Sequence, residues 1–148
     1  MPWIHDVTTN PADPPQFVAL REIRLACVNG VEYSGLDADA HRKKYPQITT
    51  TRYAVEADKV FETALAFAES MGWVIAGVDN AAGRIEATAT TRIMRYKDDV
   101  VIRVRAMASG TLLDVRSASR VGKSDLGANA KRIDTYFEQV NFILKSNT

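Results

Sequence analysis

Residues 83–132 read GRIEATATTRIMRYKDDVVIRVRAMASGTLLDVRSASRVGKSDLGANAKR. Three runs in it, GRIEATATTRI, DVVIRVRAMA and TLLDVRSASRV, alternate apolar and polar residues, with turns expected at residues 96–98 and at Ser109-Gly110. Period-two alternation broken by glycine and polar residues is the pattern of half-buried strands joined as antiparallel hairpins. The alternation sorts two faces. Ile85, Ala87, Ala89, Val100, Ile102, Val104, Leu113 and Val115 are expected to point inward, and Glu86, Thr88, Arg92, Arg103, Arg105, Asp114 and Arg116 outward. After the third run, a glycine-containing loop delivers the chain into a helix expected over residues 125–144, with Leu126, Ile133, Phe137, Val140 and Leu144 on one face.

Upstream, WVIAGVD supplies a further strand, ended by a turn at Asp79-Asn80-Ala81-Ala82-Gly83. Before it, ITTTRYAV reads as a strand followed by an amphipathic helix in EADKVFETALAFAESMG, whose apolar residues Ala57, Val60, Phe61, Ala64, Ala68 and Met71 recur at helical spacing. Residues 1–47 hold all five prolines and read as an irregular, extended arm. Phe17, Val18, Leu20, Ile23 and Leu25 give that arm enough apolar surface to pack as a strap, and residues 37–44 one or two helical turns. The expectation is an arm over 1–47 and an α+β domain over 48–148. Its order is β-α-β-β-β-β-α, a two-layer sandwich with a curved antiparallel sheet and helices on one face. This element order is that of helix-grip and TATA-binding-protein-like folds.

At 148 residues, with 46% hydrophobic and 25% charged residues, the composition is that of one ordinary globular domain. The net charge of +1 conceals about −4 in residues 1–80 and +5 in residues 81–148. That balance lacks the basic excess of a nucleic-acid binder. The single cysteine, Cys27, closes no internal disulfide and forms no CxxC pair, and no run approaches the roughly 18 apolar residues of a membrane helix.

Two long stretches carry a family resemblance: RIEATATTRIMRYKDDVVIRVR with DVRSASRVGKSDLGANAKRI, and IHDVTTNPADPPQF at residues 4–17. They resemble the bacterial domain of unknown function 1499 family, although Arg95-Tyr96 is more charged than that family's pattern. The resemblance implies an uncharacterised domain, often found behind an N-terminal membrane or export segment. A periplasmic or membrane-anchored native setting, with coding sequence upstream of Met1 and the proline-rich opening as spacer, is the corresponding expectation.

Candidate sites follow from the residues. The loop at residues 119–129 precedes a helix whose free N–H groups favour anions, so Arg120, Gly122, Lys123, Ser124, Asp125 and Asn129 form a candidate anion site. The competing reading makes Ser124 or Asp125 the helix cap, with Gly122 and Gly127 there for backbone conformation. Gly122-Lys123-Ser124 is not a P-loop, because the motif needs glycine at 117, where Ser117 stands, and a parallel sheet. Outward Arg92, Arg103, Arg105 and Arg116 form a candidate partner surface, or else a solvated face of cross-strand charge pairs. His5 and His41 lie beside no evident nucleophile, and the Asp37, Asp39, His41 spacing suits a weak metal site less well than a solvated loop. No catalytic residue, metal or cofactor is expected. Small residues Ala87, Ala89, Ala106, Ala118, Ala128 and Ala130 leave room for a groove between sheet and C-terminal helix, with Arg120 or Lys123 at its rim. A non-catalytic binding or accessory module for an anionic or apolar small molecule or a protein is the leading reading. The alternatives are an enzyme acting on an anionic substrate at residues 120–129, with His5 folded back beside that loop, and a scaffold.

Overall fold

In the computed structural model, which describes residues 3–145, the chain runs β1 (Asp6–Thr8), α1 (Arg21–Leu25), α2 (Ala38–Lys44), β2 (Thr51–Tyr53), α3 (Ala57–Ser70), β3 (Val74–Asp79), β4 (Arg84–Thr90), β5 (Lys97–Met107), β6 (Gly110–Ser119) and α4 (Ala128–Leu144). The six strands form one antiparallel sheet in the order β1-β6-β5-β4-β3, and β2 also pairs with β6. The fold is α+β. Among the described residues no helix is long and apolar enough to cross a membrane.

Register explains the inner layer. Ile85 pairs with Ile102 and Ile102 with Val115, so one apolar row crosses three strands. All eight residues expected inward are buried. Against them pack Val60, Phe61, Ala64 and Ala68 of α3 and Ile133, Tyr136, Val140 and Leu144 of α4. Each large aliphatic side chain so buried contributes roughly 1.5–3 kcal/mol. Tyr136 stacks on Trp73 at 5.3 Å between centroids, and its hydroxyl donates to the Ala64 carbonyl at 2.7 Å. A buried tyrosine thus keeps its polar end satisfied.

Several expectations are corrected. Residues 1–47 are not wholly irregular, since Asp6–Thr8 adds a strand to β6 and Arg21–Leu25 forms a short helix. The strand expected at residues 48–55 is only Thr51–Tyr53. The C-terminal helix begins at Ala128, and Leu126, expected on its apolar face, precedes it at φ 53° and is 95% exposed. Ala118 is not on the groove side, because period two places it with Arg116 on the opposite face, where it packs with Phe17, Leu20 and Val101.

The largest correction concerns the outward face, which is not left to solvent and carries a helix of its own. Residues 13–31 cover it. The Glu86 carboxylate accepts backbone N–H bonds from Val18, Ala19 and Leu20 at 2.7–3.1 Å, directly ahead of α1. Arg116 grips Asp6 through two bonds of 3.0 and 2.9 Å and donates to the carbonyls of Pro15 and Val31. Arg24 bonds Asp99 at 3.0 Å and the Ala118 and Gly30 carbonyls. Phe17 lies between the two guanidiniums, 4.8 Å from that of Arg24 and 4.7 Å from that of Arg116. Phe17 and Leu20 are buried, whereas Val18, Ile23 and Leu25 stay exposed.

Candidate functional site

At the sheet end opposite the β5–β6 turn, three features enclose a cleft of about 750 Å³: the β4–β5 loop at residues 91–96, the β6–α4 loop at residues 120–127, and the first turns of α4. That volume lies within the roughly 300–1,000 Å³ typical of small-molecule sites. Trp73, immediately ahead of β3, and Met71 supply apolar wall, and Ala128 keeps the α4 side shallow. Arg132 and Asp98 are the polar pair in the lining. They lie 2.9 Å apart in an ionic contact rather than a directed hydrogen bond, and Arg132 also donates to the Asn129 and Ser117 side chains.

The mouth is unusual. Ile93, Met94, Tyr96, Val121 and Leu126 line it and are all exposed, Ile93 at 89%. Exposed apolar side chains gathered in one place mark interaction sites, whereas isolated ones need no explanation. Arg92 and Lys131 join the lining as exposed cations, and neither takes part in any ion pair among the described residues. Arg95 and Leu126 are the only described non-glycine residues with positive φ, at 59° and 53°, and the two loops of the mouth hold one each. Bulky residues rarely adopt that conformation, and such outliers cluster at functional sites.

The candidate anion loop is divided by the fold. Arg120 is held by Asp99 through bonds of 2.9 and 3.0 Å and donates to Thr88; the Asp99 hydrogen bonds push the pKa of this guanidinium further up. Asp125 accepts from the backbone N–H groups of Gly127 and Asn129 at 2.7 and 3.2 Å, so its own carboxylate occupies the amides an anion would use. Asn129 is fully buried, donating to Asp125 and Ser119 and accepting from Ser117 and Arg132. Gly122, Ser124 and Asp125 line the cleft. Lys123 stands outside the lining, its ammonium 5.1 Å from the centroid of exposed Trp3. Gly122 and Gly127 both have positive φ, 93° and 84°, with open space or only distant contact where a Cβ would stand, so backbone conformation alone calls for glycine there.

The expected partner surface also separates. Arg116 is completely buried, and Arg103 and Arg105 both bond Asp114, at 2.9 and 2.7 Å. Arg92 alone of the four reaches the cleft. Burial by itself would raise the Asp114 carboxyl, but hydrogen bonds from Thr50, Thr9 and Arg103 outweigh it and hold the pKa below the usual value.

Of the histidines, His5 does fold back on the loop, but through its backbone, with its carbonyl accepting from Ser119 N at 2.8 Å and from Asn129 Nδ2 at 3.4 Å. Its ring nitrogen Nδ1 is buried without a hydrogen-bond partner. Asp37 caps α2 through Ala40 N, Asp39 pairs with Arg42, and His41 is buried against Tyr45. Among the described residues no group of three or more His, Cys, Asp or Glu is placed to hold a metal. Of the groove alanines only Ala128 lines the cleft; Ala106 belongs to a smaller hollow of about 160 Å³ at the other end of the sheet. Sequence reasoning passed over Trp73, Ile93, Met94 and Lys131. The available signal was Arg92-Ile93-Met94-Arg95, two apolar residues in a turn where polar ones are usual.

Fold and site together define a small α+β domain with an apolar, cation-rimmed cleft between one end of its sheet and its C-terminal helix. The chain belongs to the family described as protein of unknown function (DUF1499), whose model matches residues 6–140. No curated protein matches it. Two solved structures are distantly similar. CalU16 from Micromonospora echinospora is 13% identical, with a TM-score of 0.44, covering 62% of this chain and 72% of that one. The vertebrate conserved region of human METTL16 is 12% identical, with a TM-score of 0.39, covering 91% and 97%. At these scores neither likeness bears on function.

Proposed function

We propose that the protein is a non-catalytic binding module for an anionic amphiphile, with the apolar part in the cleft and the negative end at Arg92 and Lys131. The observation that supports this reading is the cleft itself: apolar walls, a mouth of exposed apolar side chains, and two cations without an acidic partner. Arg120 and Lys123, the rim residues expected from sequence, give way to Arg92 and Lys131 because Arg120 is bound to Asp99 and Lys123 lies outside the lining. The enzyme reading, with Arg120, Lys123, Asp125 and His5 around a substrate, has less support, since Arg120 and Asp125 are committed to internal partners and the His5 ring is outside the lining.

Trp73 provides the test. With Trp3 replaced by phenylalanine, Trp73 is the sole tryptophan, and a brominated fatty acid below its micellar concentration should quench it saturably. Charge reversal at Arg92 and Lys131 should weaken that binding. Absence of quenching at millimolar ligand would reject the reading in favour of a scaffold.

The finer architecture and setting belong to the same proposal. A sheet laid against a long C-terminal helix suits the helix-grip plan better than the TATA-binding-protein-like one. The division into a segment over 1–47 and a domain over 48–148 is tested by expressing 48–148 alone. An extracytoplasmic or membrane-associated setting is tested by locating the native protein after cell fractionation.

A further inference from the structure

We propose that the mouth of the cleft docks on the surface of an anionic lipid bilayer, a reading that rests on the amphiphile-binding function and names where that ligand is met. Two loops carry the argument. The β4–β5 loop presents Ile93 and Met94, and the β6–α4 loop presents Val121 and Leu126, all exposed at one rim. Leu126 is 95% exposed at a φ of 53°, so this large apolar side chain gains no burial in return for a backbone conformation that favours glycine. Water is a poor solvent for such tips, and the headgroup–acyl boundary is a good one.

The charges complement the same surface. Arg92, Arg95, Lys123 and Lys131 surround the tips and take part in no ion pair among the described residues. The nearby acids are spent: Asp98 on Arg132, and Asp125 on the start of α4. Four unpaired cations against the half-buried Asp125 leave the rim net cationic, and juxtamembrane cations are drawn to anionic lipid. Trp3, 65% exposed beside Lys123, adds the amphipathic ring typical of a membrane interface. The cations at this rim are of one sign, the complement of an anionic surface, and a phosphate backbone would make no use of Ile93, Met94 and Leu126. Apolar tips within a ring of cations suit lipid best. Docked in this way, the cleft opens onto the bilayer, so an anionic lipid could pass from the membrane to Trp73 without crossing water.

Vesicle flotation tests the proposal. The protein should float with phosphatidylcholine vesicles containing phosphatidylglycerol, release at high salt, and ignore pure phosphatidylcholine. With Trp73 replaced by phenylalanine, Trp3 fluorescence should be quenched by phospholipid brominated near the headgroup end of its chains. The double variant Arg95→Glu, Lys123→Glu changes neither a lining residue nor an ion pair. It should keep the solution thermal melt and the Trp73 quenching by monomeric fatty acid, yet lose vesicle binding by about tenfold or more. Leu126→Asp should weaken vesicle binding at unchanged net lipid charge. Equal binding to neutral vesicles, no vesicle binding, or vesicle binding insensitive to Leu126→Asp would each overturn docking. So would retention of single-stranded nucleic acid or a protein partner by the same cations while vesicles are ignored. Failure of Trp73 quenching with vesicle binding intact would instead strike the amphiphile site.

Discussion

At the scale of single residues, the informative feature is how many charges lie beneath the surface of a chain of ordinary composition. Arg116 and Asp6 form a pair with both side chains essentially unexposed. Removing one partner of such a pair leaves the other charge buried and uncompensated, a loss of about 3–5 kcal/mol, whereas replacing both with apolar residues of similar size is often close to neutral. Arg116→Met should therefore destabilise strongly in urea denaturation, and Asp6→Leu combined with it should recover much of the loss. Equal stability of Arg116→Met and the wild type would show that the pair contributes nothing. His41 gives a second expectation. Burial lowers its pKa from the ordinary 6.5, so as pH falls the unfolded chain takes up this proton before the folded chain does. Its contribution is intact at pH 8 and is lost progressively below about 6.5. Melts between pH 8 and 5 should show this decline, and His41→Gln should flatten it; an unchanged slope would assign the decline elsewhere.

At the scale of elements, the β6–α4 junction sets stability against function. Leucine at φ 53° costs roughly 1–2 kcal/mol relative to a right-handed conformation, partly offset in any glycine variant by the freedom glycine gains when unfolded. Leu126→Gly should be no less stable than wild type, and up to about 1 kcal/mol more so, while binding anionic vesicles more weakly. A clear drop in melting temperature would mean that Leu126 supports the loop. The same junction shows what sequence discloses. Strands β4, β5 and β6 were legible because seven to eleven residues of alternation leave little choice of face. Strand β1 and helix α1 were not, since three and five residues span too little for any period to register. Nor could alternation reveal that the outward charges are internal. Glu86, Arg116 and Asp114 follow the same pattern whether they face water or, in turn, the backbone amides, the Asp6 carboxylate and the threonine hydroxyls of other segments. In the cleft, Ala128 stands where small residues were expected to leave a groove beside the C-terminal helix, whereas Gly122, Ser124, Asp125 and Arg92 were expected for other roles. The apolar tips were not foreseen, because a turn carrying Ile93 and Met94 breaks the rule by which turns are read.

On the scale of the whole molecule, strands β4, β5 and β6 are covered on both sides over most of their length, by different means, while β3 stays largely exposed. The inner face meets α3 and α4 through aliphatic and aromatic packing, and the outer face meets residues 13–31 through ion pairs and backbone hydrogen bonds around the small apolar cluster of Phe17, Leu20, Val101 and Ala118. Both faces thus serve stability, leaving the strand ends for function, and the end carrying the β4–β5 and β6–α4 loops holds the large cleft. The measurement that tests this most directly is a backbone NMR titration with a monomeric medium-chain fatty acid. The account predicts saturable shifts confined to residues 90–98, 119–135 and the vicinity of Trp73, with the outer-face amides of Val18–Leu20 unmoved. Silence throughout at millimolar ligand, or shifts centred on the outer face, would contradict it.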